Sequence, residues 1–188
     1  MSRGKAETTQ LQKKLEEQLE RLVDQLADLE QEKSELSEEE YNDMKQDTVE
    51  QLKEFQASLD RILKGDITLV DTLNGLQLAI QAAISDAFRT PEIIRLFAKK
   101  QPVQLRQRLT ELERDLKISK IALEPYNREK VEILLALRKL GDTLSPGENS
   151  FIENHSSASM KQFEKIDENV EISDRKLFQL AATSTDSS

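Results

Sequence analysis

One histidine, three consecutive glutamates and a stretch of lysines and arginines are the residues of this 188-residue chain with which chemistry would have to be done. There is no cysteine, which removes disulfides, thiolate zinc sites, iron–sulfur ligation and a cysteine nucleophile. A single histidine cannot build a three-histidine zinc site, so any His-carboxylate metal site or Ser/His/Asp triad must use His155. His155 stands beside Ser156 and Ser157, but a triad brings its groups together from separate elements, and sequence adjacency is not that geometry. Glu38, Glu39 and Glu40 could draw a cation, yet carboxylates at a helix start already interact favourably with its dipole. No glycine-rich phosphate loop occurs. The basic residues Arg95, Lys99, Lys100, Arg106, Arg108, Arg114, Lys117 and Lys120 have only Phe97 as an aromatic neighbour, so they read as solvated helix faces rather than a nucleic-acid surface. The expectation is a non-enzymatic chain with no cofactor, no metal and no nucleic-acid partner.

The elements that carry these residues read as all-α. At 37% hydrophobic and 34% charged residues, with a formal net charge of −9, the chain suits an acidic, elongated helical protein. Residues 1–64 hold 10 basic and 17 acidic side chains, residues 65–120 hold 9 and 7, and residues 121–188 hold 8 and 12, so only the middle is basic. The longest uninterrupted apolar runs, such as Ile133 to Leu137, fall far short of the roughly 20 residues of a membrane span. The N-terminus shows neither a secretory h-region nor a glycine after Met1. The expectation is no membrane association, and a place in the cytoplasm, the nucleus or both.

From about Lys5 the chain reads as one long helix. With Gln12, Leu19, Leu26 and Lys33 at heptad position a, Leu15, Leu22, Leu29 and Leu36 fall at d, a leucine-zipper pattern of about three heptads. Three heptads are marginal alone, so the seam Leu15, Leu19, Leu22, Leu26, Leu29 and Leu36 requires a partner helix. Ser37-Glu38-Glu39-Glu40 is a capping box that starts a second helix, with stripe Tyr41, Met44, Thr48, Leu52, Phe55, Leu59 and Ile62 and Gly65 placed to end it in a left-handed conformation. Two arrangements fit: an antiparallel hairpin within the chain, or a parallel coiled-coil homodimer. In the dimer, Gln18, Gln25 and Glu32 at g would face Val23, Glu30 and Ser37 at e, none an attractive ion pair. The hairpin is the favoured arrangement, with dimerisation through it left open.

Residues 66–89 are the most apolar, with Leu69, Leu73, Leu76, Ile80, Ile84 and Phe88 at helical spacing and Gly75 marking a kink or a close approach. Thr90-Pro91-Glu92 caps a short helix running to Lys100, and Pro102 starts another with Leu105, Leu109, Leu112 and Leu116. Pro125 can open a further apolar helix, Tyr126 to Leu140, with Gly141 as its C′ residue. Ser145-Pro146-Gly147-Glu148 caps the next helix, and Met160, Phe163 and Ile166 mark a third.

The string Tyr126-x-x-x-Lys130-Val131-x-Ile133-Leu134-Leu135-x-Leu137-Arg138-Lys139-Leu140-Gly141-x-x-Leu144-Ser145-x-x-Glu148-x-x-Phe151 resembles the β-catenin-interacting ICAT family, without a gap. The resemblance implies a three-helix bundle that docks on the last armadillo repeats of β-catenin through Tyr126, Lys130 and Ile133, and so a protein-interaction module in Wnt signalling. These three share one helix face at i, i+4 and i+7. Two readings of them stand: contacts for an armadillo-repeat partner, or core residues with the Lys130 stem draped over them. The resemblance also implies an extended, groove-binding tail, falling on Asp174, Leu177, Phe178, Leu180 and Asp186. Two residues, Arg175 and Lys176, separate Asp174 from Leu177 where the family pattern has one, and the only later acid is Asp186. One inserted residue changes which side chains of an extended strand face a groove.

The expected organisation is therefore a leucine-heptad hairpin or coiled coil over 1–64, central short helices over 65–120, an ICAT-like three-helix bundle over 121–167, and a disordered polar tail over 168–188. The alternative function is a coiled-coil scaffold or homodimer that kept the ICAT fold without binding β-catenin.

Overall fold

The leucine heptads form helix α1 (Ser2–Glu32), which stops one turn earlier than the repeat. Hydrogen bonding closes in a turn at Glu35 N–H to Glu32 O, 2.8 Å, so Leu36 lies in the connection, half-buried. What stops α1 is the start of α2 (Glu38–Gly65): the Ser37 hydroxyl accepts from the Glu40 amide at 3.2 Å and the Glu40 carboxylate accepts from the Ser37 amide at 3.1 Å. The five-residue connection folds the pair into an antiparallel hairpin. Near the turn, the Tyr41 hydroxyl donates to Glu30, and the Lys33 ammonium sits 4.8 Å from the Tyr41 ring centre. Burial beside the Glu30 carboxylate pushes the Tyr41 phenol up to about 12. The structure is a computed structural model that describes residues 2–165, with side chains from Gly4 onward.

Helix α2 buries Tyr41, Thr48, Leu52, Phe55, Leu59 and Leu63. Met44 is 46% exposed and Ile62 only half-buried, so Leu63 takes the inward place expected of Ile62. Gly65 is the last helical residue and is not left-handed; the helix ends because Asp66 is extended (φ −144°) and its carboxylate accepts from the Thr68 amide at 3.1 Å to start a 3-10 turn, Ile67–Leu69. Helix α3 (Val70–Ile84) follows and is packed against α1, α2 and α4. By length and composition alone, Ile67–Ile84 passes for a membrane-spanning segment (mean hydropathy 1.2 over 18 residues), although polar residues interrupt its apolar runs. Gly75 marks a close approach: a Cβ there would lie 2.8 Å from the Ala98 carbonyl oxygen and 2.7 Å from the Lys100 Cγ.

Phe88 lies beyond the end of α3, in the loop to α4 (Pro91–Ala98), with its ring 5.2 Å from Phe97 and 5.8 Å from Phe163. Five of the eight residues of α4 are buried, the pattern of a helix enclosed by neighbours. Helices α5 (Pro102–Lys117), α6 (Leu123–Lys139) and α7 (Pro146–His155) follow, and residues 158–165 are helical, labelled α8. Helix α6 begins two residues before Pro125, whose missing N–H falls within the first turn, where no intrahelical partner exists in any case.

The interior is continuous across positions 64 and 120. Leu15 to Val23 of α1, Leu52 to Leu63 of α2, and residues of α3 through Phe163 of α8 form one hydrophobic core. Seam residues Leu15, Leu19, Leu22 and Leu29 are buried by their own chain, against α2, α3 and α4, and Leu26 is half-buried against the same core. The antiparallel hairpin therefore uses the leucine face that a parallel zipper would need.

Candidate functional site

Helix α6 carries the residues singled out by the resemblance, and its sequence explains its central position. Val131 to Leu137 are seven consecutive buried residues, so neighbours enclose the helix: α4, α5 and α7 all pack on it. Its C-terminus closes with a Schellman motif: Gly141 takes φ +85°, its amide donates to Arg138 O at 3.1 Å, and the Asp142 amide donates to Leu137 O at 3.0 Å. Helix α7 then opens on the second capping box, with Glu148 N–H to Ser145 Oγ at 3.2 Å and Ser145 N–H to Glu148 Oε1 at 3.0 Å.

Two of the three predicted contact residues meet. The Lys130 ammonium donates to the Tyr126 hydroxyl at 3.1 Å and to Glu113 of α5 at 3.4 Å, and it lies 4.5 Å from the ring centre of Phe151 on α7. Burial pushes the Lys130 ammonium down, but the Tyr126 hydroxyl and Glu113 outweigh it, leaving its pKa raised. Tyr126 is 7% exposed and Ile133 is 0% exposed. In this arrangement Ile133 belongs wholly to the core, and only the Lys130 tip and the edge of Tyr126 stand near solvent. Asp174, Leu177, Phe178, Leu180 and Asp186 lie outside the described residues, as does Ile166.

Charged side chains tie α6 to its neighbours. Arg108 of α5 reaches Glu129 at 3.2 Å and Glu92 of α4 at 3.5 Å. Arg106 reaches Asp142 at 3.1 Å, Glu148 at 2.6 Å and the Thr143 carbonyl at 3.1 Å, fastening α5 to the loop after α6. Burial pushes the Glu148 carboxyl up, but the Ser145 amide and Arg106 outweigh it and leave it below the ordinary carboxylate range.

Glu132 is a residue that sequence reasoning missed. It is 0% exposed and reaches from α6 to the start of α4, where its carboxylate accepts from the Arg89 amide, from the Thr90 amide at 3.1 Å and from the Thr90 hydroxyl at 2.6 Å. Thr90 therefore does not cap its own helix; Glu132 supplies the missing acceptor. Desolvation holds its carboxyl above the ordinary range despite these bonds and the charge of Arg128. The signal that could have found it is its place: the one charged residue inside the run Val131 to Leu137.

His155 is exposed, stacked on Phe151 with ring centres 4.1 Å apart and hydrogen-bonded through Nδ1 to the Phe151 carbonyl at 3.0 Å. Among the described residues no group of three or more histidines, aspartates and glutamates is placed to hold a metal. Glu38, Glu39 and Glu40 occupy the first turn of α2. Between α1 and α4 a groove of about 370 Å³ has Leu19, Val23, Ile94 and Ala98 among its apolar lining, with Arg95 bound to Glu20 across its rim at 2.8 Å.

Residues 112–188 match the family model described as beta-catenin-interacting protein ICAT. The matched part begins in the last two turns of α5, takes in all of α6 and α7, and extends beyond the described residues. No solved structure matches the chain.

Proposed function

We propose that this protein is a non-enzymatic protein-interaction module that binds an armadillo-repeat protein such as β-catenin through its C-terminal part, modulating Wnt signalling in the cytoplasm and the nucleus. The observation that carries this reading is the match of residues 112–188 to a family described by its interaction with β-catenin. The juxtaposition of Lys130, Tyr126 and Phe151 at one edge of α6 and α7 supports it, since a cation framed by two aromatic rings is a compact recognition group. The test is a calorimetric titration of the full chain into the armadillo region of β-catenin, with the double variant Tyr126→Ala, Lys130→Ala as control and circular dichroism to verify its fold. Micromolar or tighter binding that the double variant loses is the expected result.

A second reading is favoured by one specific observation: Ile133, a contact residue by resemblance, is 0% exposed in the chain's own core. On that reading the chain is a scaffold that keeps the ICAT-like helices as core and does not bind β-catenin. Absence of heat at two temperatures, with a folded chain, selects it.

A further inference from the structure

Helix α5 sits on α6 as a bound peptide helix would. Its buried side is a single stripe, Leu105, Leu109 and Leu112 at i, i+4 and i+7, with Leu116 half-buried one turn further on. Away from the stripe it is exposed: Val103 is 69% exposed, and Gln104, Gln107, Thr110, Glu111 and Arg114 face solvent. It packs on α6 and α4. Two ion pairs of opposite sense flank the stripe, Arg108 to Glu129 at 3.2 Å and Glu113 to Lys130 at 3.4 Å. At each end the chain turns through a left-handed residue, Lys100 (φ +52°) before the helix and Ser119 (φ +58°) after it. The family match begins at Leu112, so Leu105, Arg106, Arg108 and Leu109 precede it, whereas α6 lies entirely inside it. Most of the covering helix is thus something this chain places over the matched part from outside.

We infer that α5 is an intramolecular stand-in for a partner's helix: the face of α6 beneath it is a helix-docking surface, and binding exchanges α5 for the partner. The inference rests on the armadillo-binding reading above, and armadillo repeats are stacked helices that can present such a face. The occupant is defined by what α5 now supplies. It is a helix with aliphatic residues at i, i+4 and i+7, an acid to meet Lys130 and a base to meet Glu129, laid in a groove as amphipathic ligand helices are. Displacing α5 in this way frees Glu129 and Lys130 of α6 from Arg108 and Glu113 for a partner without unfolding α1 to α3. The cover also sets the affinity, since a site open in only a fraction of molecules binds more weakly by that fraction.

Two variants weaken the cover and leave α6 untouched: Leu109→Ala removes part of the stripe, and Glu113→Gln removes the charge facing Lys130. Both are titrated as full chains against the armadillo region of β-catenin, with hydrogen exchange reporting α5 separately from α1 to α3. The expected result is faster exchange confined to α5, with binding tighter by about tenfold or more for Leu109→Ala and about two- to fivefold for Glu113→Gln. Wild type and variants binding alike would overturn the inference while leaving the proposed function standing. If none of the three binds, the proposed function fails, and a fluorescent peptide of sequence Pro102–Lys117 then decides the inference. Its binding to Leu109→Ala more tightly than to wild type upholds a helix-docking surface on α6; no binding to the variant refutes it. Should Leu109→Ala fail to fold, Glu113→Gln, changed at a half-exposed side chain, carries the same comparison.

Discussion

Leu15, Leu19 and Leu22 of α1 have the same i, i+4, i+7 spacing as Leu105, Leu109 and Leu112 of α5, and the two stripes do different things. The α1 stripe is widened by Val23 and is enclosed by α2, α3 and α4. The α5 stripe is one leucine wide, packs on α6 and α4, and is bordered by the Arg108–Glu129 and Lys130–Glu113 pairs. Leucine spacing therefore specifies a helix with a buried side; the width of that side and the charges along its edges go with how many neighbours enclose it.

Four experiments test this contrast. The largest effect falls on the joint between α4 and α6: Glu132→Ala leaves the Arg89 and Thr90 amides and the Thr90 hydroxyl without their acceptor and should cost about 3–5 kcal/mol, read from the denaturant midpoint. If the regions were independent, that loss would appear in only one of two transitions; a single transition shifted as a whole is expected. Next, Leu19→Ala should cost about 2–5 kcal/mol and Leu109→Ala should fall at the low end of that range, because only one side of α5 is enclosed. Equal losses would erase the contrast.

The third experiment concerns pH. Because the folded-state pKa of Glu132 lies above the ordinary carboxyl value of 4.5, the folded chain retains a proton that the unfolded chain has lost as pH rises past that value. Its contribution to stability is full below about 4.5 and declines as pH rises through the folded value. Glu132→Gln removes this titration, so in chemical denaturation the stability of the variant relative to wild type should grow as pH rises from 4.5; a constant difference would refute it. The smallest effect is that of the caps, one in each region. Ser37→Ala should cost about 1 kcal/mol by thermal denaturation, and Ser145→Ala less, since Arg106 still holds Glu148 when the serine hydroxyl is gone.

Local signals were legible in the sequence. Ser37 with Glu40, Ser145 with Glu148 and Gly141 act within a few residues, and each forms the cap its spacing implied. Gly75 was legible as a close approach, although the partner it meets, the end of α4, was not. What escaped was tertiary. Thr90 looks like an ordinary N-cap until Glu132, 42 residues later, takes its hydroxyl, and Gly65 looks like a left-handed stop until Asp66 ends the helix by extending. The two readings of Ile133 share the same periodicity. Only the placement of α4 and α5 around α6 distinguishes a face buried in this arrangement from one presented to a partner.

The ion pair between Glu20 and Arg95 spans 75 residues of sequence, and its span has a consequence during synthesis. Emerging from a ribosome at about 5–20 residues per second, α1 finds α2 early but waits roughly 4–15 seconds before α4 can cover Leu19 and Val23. Through that interval the nascent hairpin presents an open leucine edge. Two such chains growing on neighbouring ribosomes could meet there, so the heptads that serve one molecule in the finished fold are a hazard, or an opportunity for chaperones, only while the chain is being made.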